Sequence, residues 1–185
     1  PLYMSNLTAL KPKLLSLEPI ERVYVRRYAF PARVMIIVKE KRPIISISPD
    51  VNVKPVAVFT NDGKIISGND YLPLPKEYKT LLVLSYGNKG DDYHKWNVDK
   101  INEIKKVAKY VETFSHEQVE YVDLRNPNDV FVKLKSVNIR LGKFDDKIYE
   151  RIKRIPSILP EAEKVKSKIK YIDLSWEKVN YLKLE

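Results

Sequence analysis

Cysteine is absent from the 185 residues. That excludes disulfide scaffolds, thiolate zinc sites and cysteine nucleophiles, and leaves the redox compartment undecided. Histidine occurs only as His94 and His116; the two are too far apart in sequence for a local metal-binding pair and read as surface-loop residues. The five glycines, Gly63, Gly68, Gly87, Gly90 and Gly142, never take the spacing of a phosphate-cradling loop. Adjacent carboxylates occur at Asp91-Asp92 and Asp145-Asp146, but neighbours on a strand or loop point apart, whereas paired-carboxylate hydrolysis needs two groups facing one cleft. No catalytic residue, metal site or cofactor is therefore expected. Nor does any apolar run approach the ~20 residues needed to cross a bilayer, and no signal-peptide pattern is visible. The chain opens on Pro1 rather than Met, so it reads as a fragment, and the absence of an anchor from it says little.

What is present favours strands. Apolar residues make up 44% of the chain, enough to build a core, and twelve tyrosines join many Ile and Val residues. Leu7, Leu10, Leu14 and Leu17 suggest a short helix with Pro12 in its first turn and Thr8 near its cap. Arg22 to Tyr28 and Arg33 to Lys39 read as two strands around Ala29-Phe30-Pro31-Ala32. A helix on a two-stranded ribbon buries too little surface to stand alone, so this first unit reads as incomplete. Lys41-Arg42-Pro43 breaks the pattern, and the domain boundary is placed there, giving units 1–42 and 43–185. In the second unit Ile44 to Ser48, Val56 to Phe59, Ile65 to Ser67 and Leu81 to Leu84 read as strands. Asn61-Asp62-Gly63-Lys64 is a hairpin turn, Leu72-Pro73-Leu74-Pro75 is extended, and Asn88 to Asp92 is a loop. Asn97 to Phe114 is a helix with Ile101, Ile104, Ala108 and Val111 on one face.

The formal net charge is +10, and the excess is uneven. Up to Arg42, Lys11, Lys13, Arg22, Arg26, Arg27, Arg33, Lys39, Lys41 and Arg42 face only Glu18, Glu21 and Glu40. Three readings of this cluster stay open: a solvated strand face, contact with an anionic membrane surface, and nucleic-acid binding. The last requires aromatics on the same face as the cations, as Tyr24, Arg26 and Tyr28 would be on a strand.

From Val130 onward the pattern is strand, turn, strand, helix, strand, turn, strand. Val130 to Lys135 and Val137 to Leu141 alternate apolar and polar residues, which marks a sheet with one dry and one wet face. Asp145 sits at an N-cap position, and Ile148, Ile152, Ile155 and Leu159 form a helical stripe. Tyr171 to Trp176 alternates again, and Val179 to Leu184 is a terminal strand whose outer edge can be open. An open edge binds strands. Main-chain bonds along it carry little sequence information, so side chains must supply specificity. The candidate partner-binding residues are Trp176, Val179, Asn180, Tyr181, Leu182 and Lys183, with Tyr149 and Arg151 on the neighbouring helix. Trp176 is equally well read as core, being in phase with Ile172 and Leu174. Tyr181 also reads as strand packing, and Lys178 and Lys183 as edge guards.

Three stretches in this order resemble the extracytoplasmic region of the FtsQ/DivIB cell-division family. Leu14 to Pro43, through Ile20 to Arg27 and Val34 to Val38, is similar to the end of a POTRA domain. Asn61-Asp62-Gly63-Lys64 with Leu72-Pro73-Leu74-Pro75 is similar to the entry of the family's second domain. Ile139-Arg140-Leu141-Gly142, the following helix and Ile172-Asp173-Leu174 resemble its closing block. The resemblance implies an α+β chain: a truncated POTRA-like unit, then a mostly antiparallel β domain with two packed helices. It implies a non-enzymatic divisome scaffold, the extracytoplasmic part of a single-pass membrane protein, binding the bitopic proteins FtsB and FtsL. The last strand is then the place where an FtsB segment adds. Ser175 departs from the family pattern, standing where an Arg often follows Asp-Leu. A basic nucleic-acid-binding module is the alternative, although no nucleic acid is expected.

Overall fold

The computed structural model describes residues 7–67, 79–87, 92–165, 169–176 and 180–184. The expected stretches Leu72 to Pro75 and Asn88 to Asp91 lie outside the described residues, as does Val179. Helix α1 (Leu7–Leu15) contains Pro12 as its sixth residue, not in its first turn, and Thr8 lies within it. Strands β1 (Ile20–Tyr28) and β2 (Arg33–Glu40) form an antiparallel two-stranded sheet, with Tyr28 opposite Arg33 and Arg22 opposite Lys39. Helix α1 packs on β1, where Val23 is buried, while β2 is exposed at every position except Val34.

The remaining strands among the described residues build one nine-stranded sheet. They are β3 (Pro43–Ser48), β4 (Ala57–Thr60), β5 (Ile65–Ser67), β6 (Leu81–Leu84), β7 (Val119–Asp123), β8 (Val130–Leu134), β9 (Asn138–Gly142), β10 (Ile169–Asp173) and β11 (Tyr181–Leu184). Their order across the sheet is β11-β10-β9-β8-β7-β6-β3-β4-β5. The hairpins β3–β4, β4–β5, β7–β8 and β8–β9, together with β10–β11, are antiparallel. β3–β6, β6–β7 and β9–β10 are parallel. Parallel neighbours need long crossovers, and two of these are helical: α2 (Val98–Ser115) joins β6 to β7, and α3 (Ile148–Ile152) with α4 (Ile155–Lys164) joins β9 to β10. The chain is thus α+β with a mainly antiparallel sheet.

Local chemistry accounts for the element ends. The Asn97 side chain accepts the Lys100 amide at 2.9 Å and caps α2, and the β4–β5 turn places Gly63 at a φ of +77°, which glycine adopts without strain. Ile148, Ile152, Ile155 and Leu159 do form the expected stripe, but two helices share it. The break falls at Lys153-Arg154, and Pro156 opens α4, where a missing N–H is harmless. Among the described residues, three α-helices therefore pack in the second unit where two were expected. Asp145 does not cap α3. It lies two residues before the cap position, accepts the Lys147 amide at 3.1 Å and pairs with Arg151.

Ile45, Phe59 and Val83 meet Ile101, Ile104 and Val111 of α2, and Val132, Ile139 and Ile172 meet Ile148, Ile152 and Ile155 in the same core. Along β8 and β9, Val130, Val132, Leu134, Ile139 and Leu141 are buried. Alternating with them, Phe131, Lys133 and Arg140 are only half-buried on the other face. β7 has no counterpart in the sequence reading. Only Val122 is fully buried there, so its alternation is weak even though it sits mid-sheet.

Candidate partner-binding edge

β11 lies at one end of the sheet order with β10 as its only neighbour among the described residues, so its other long side is an open edge. The pairing sets Ile172 opposite Leu182 and Asp173 opposite Tyr181. Leu182 packs against the core and holds the strand down. Tyr181, Lys183 and Leu184 are exposed. Among the described residues, Asn180 Oδ1 is enclosed without a hydrogen-bond partner, an acceptor left over beside the edge.

The segment leaving β10 is held from three sides. Arg140 on β9 binds Asp129 at 2.6 and 3.1 Å and Asp173 at 2.9 Å. Asp173 also accepts the Ser175 amide at 2.9 Å and its hydroxyl at 2.6 Å. Burial pushes the Asp173 carboxyl up, but the Ser175 and Arg140 bonds outweigh it and hold the group below its ordinary value. From the helix side, Arg154 donates to the Leu174 carbonyl and to the Trp176 carbonyl at 2.7 Å. Burial and then the neighbouring Arg151 charge lower the pKa of Arg154, so this guanidinium occupies an unfavourable place that its two carbonyl bonds offset. From below, Gly142 (φ +74°) lies so close that a Cβ there would sit 2.8 Å from Ser175 Cβ.

This scaffold leaves Trp176 outside the core. Although in phase with Ile172 and Leu174, it follows the strand's end at Asp173 and is 59% exposed, while Leu174 is fully buried. Its indole meets the ring of Tyr181, itself 52% exposed. Trp176, Asn180, Tyr181, Leu182 and Lys183 thus gather at one sheet edge. Tyr149 does not join them: its ring packs on Tyr110 with centroids 5.1 Å apart and beneath Lys106 Nζ at 4.8 Å, between α3 and α2. Arg151 is buried; it donates to the Lys143 carbonyl at 2.6 Å and to Asp145, and its Nε has no partner among the described residues. Arg154, which sequence reading passed over, sits where Arg151 was sought. Its only signal was membership of a charged stretch, which any solvated helix shows.

No group of three or more metal-ligating side chains clusters among the described residues, and no described helix is long and apolar enough to cross a membrane. His94 pairs with Asp92 at 2.8 Å on the surface, and His116 takes the left-handed position that ends α2.

The described strands form a mixed sheet whose β11 edge is flanked by two exposed aromatic residues. The family description "Cell division protein FtsQ/DivIB, C-terminal" matches residues 52–175, more than half of the chain. The chain belongs to the FtsQ/DivIB family of cell-division proteins, which are membrane-anchored, non-enzymatic scaffolds of the division complex. A search of curated proteins returned no match.

Proposed function

We propose that the chain is the extracytoplasmic part of a single-pass division scaffold. On this reading residues 1–42 are the C-terminal part of a POTRA-like domain and residues 43–185 a β domain that captures FtsB- and FtsL-type bitopic proteins. Capture is by strand addition along the outer side of β11. The observation that supports this best is the conjunction, at one sheet edge, of an unpaired strand side with the exposed Trp176–Tyr181 pair. β11 has four residues, so an added strand gains about four main-chain bonds, roughly 2–6 kcal/mol before ordering costs. A micromolar complex needs about 8 kcal/mol. The remainder comes from anchors, and Trp and Tyr are the side chains that most often provide them.

The test is calorimetric titration of the purified chain with a juxtamembrane FtsB segment from the same source. Binding that survives moderate salt and disappears in Leu182→Pro and Lys183→Pro supports strand addition. In an edge strand successive N–H groups alternate between neighbour and solvent, so one of these prolines spares the β10–β11 ladder. Binding unchanged in both variants rules the mode out.

A further inference from the structure

β2 runs from Arg33 to Glu40, and the chain enters the large sheet at Pro43. The β1–β2 turn therefore lies at the far end of the ribbon, roughly 25 Å from that entry at about 3.3 Å per residue. Phe30 in this turn is 97% exposed, the most exposed large apolar side chain among the described residues. Arg27 and Arg33 flank it. The Arg33 guanidinium lies 4.4 Å from the centroid of the Tyr28 ring, which holds that charge at the tip. Charge is segregated along the ribbon. Glu21 and Glu40 are at its base, and Glu21 is engaged by Lys39 at 2.9 Å and Arg22 at 3.4 Å. Arg26, nearer the tip, makes no ion pair with the described residues. Opposed residues share a face, so Arg26 and Arg33 stand with Tyr24, Met35 and Ile37, of which the last three are 51%, 37% and 45% exposed.

A fully exposed phenyl with a collar of arginines, no acid at the tip and aliphatic side chains behind it matches one environment in particular. At the surface of an anionic bilayer, guanidinium groups pair with lipid phosphates and the ring enters the boundary between headgroups and acyl chains. A nucleic-acid strand would use the arginines and tyrosines but would lay Met35 and Ile37 against a charged backbone. We propose that the β1–β2 tip docks on anionic lipid, with Phe30 inserted and Arg26 and Arg33 on the phosphates. This surface is separate from the β11 edge and does not depend on strand addition.

The test is co-sedimentation of the full 185-residue chain with vesicles of phosphatidylglycerol and phosphatidylcholine, against phosphatidylcholine alone. Support is pelleting with the anionic vesicles only, weakened about tenfold by Phe30→Ser and about fivefold by Arg33→Gln. Added salt should weaken it further. Both residues are exposed, so an unchanged Tm shows that the variants remain folded. No pelleting, pelleting indifferent to Phe30→Ser, or displacement from vesicles by a single-stranded oligonucleotide overturns the proposal, the last in favour of nucleic acid.

Discussion

Trp176, three residues past the end of β10, and Tyr181, the first residue of β11, meet edge to face, centroids 6.5 Å apart and ring planes at 81°. The edge of one ring meets the face of the other, and each residue leaves more than half of its surface to solvent. Such a contact is worth about 0.5–1.5 kcal/mol beyond area burial, enough to preset two anchors without hiding them.

Trp176→Ala and Tyr181→Ala should therefore leave the fold nearly intact and weaken binding of an FtsB segment by about 2 kcal/mol each, a hot-spot effect. The double variant should lose less than the sum, because the two rings act together. Calorimetric titration beside thermal melting checks this, and a large Tm loss in either single variant would mean the rings serve stability instead.

Arg154→Ala removes both carbonyl bonds from the segment after β10. A charge-assisted bond contributes about 1.5–3 kcal/mol, and for a chain of this size 1 kcal/mol corresponds to about 2–4 °C in Tm. We expect a Tm loss of several degrees. Hydrogen exchange should quicken first at Leu174 to Trp176 and in β11. Protection there unchanged while Tm falls would contradict the placement of Arg154.

Asp173 gives the chain an acid limit. Its folded carboxyl lies below the ordinary value, so its stabilisation is fully present above about pH 4 and is lost as pH falls through the lower folded value. Denaturant midpoints should decline in that acid range, and Asp173→Asn should flatten the decline while lowering stability at neutral pH by about 1–3 kcal/mol. An equally steep acid decline in the variant would assign the effect to other carboxylates.

Gly142→Ala meets two obstacles: a positive φ and a Cβ 2.8 Å from that of Ser175. We expect a loss of about 2 kcal/mol, measured by chemical denaturation. A larger residue at Ser175 should be felt through the same contact, with Ser175→Val worse than Ser175→Ala because only the former adds volume against Gly142.

Much of the fold was legible because its periodicities are local. The alternation in β8 and β9, the apolar face of α2 and the Gly63 turn each follow from a few neighbouring residues, and the structure shows all of them. β7 was not legible: its central place comes from pairing with β6 and β8, and only one of its side chains is fully buried. The site was half legible. An edge-strand end with aromatic residues could be read from Tyr171 to Leu184. Phase alone could not say whether Trp176 turned in or out, because β10 stops at Asp173 and the alternation no longer applies beyond it.

The sequence by itself determined that the chain builds strands, helices and a basic leading ribbon without thiol or clustered histidine chemistry. Composition and short-range spacing act within a few residues. Only the tertiary structure decided that β11 is an edge, that Arg151 turns inward while Arg154 holds the exposed segment, and that Trp176 meets Tyr181 in solvent. Those outcomes depend on which distant segments become neighbours across the sheet, and no local pattern encodes that choice.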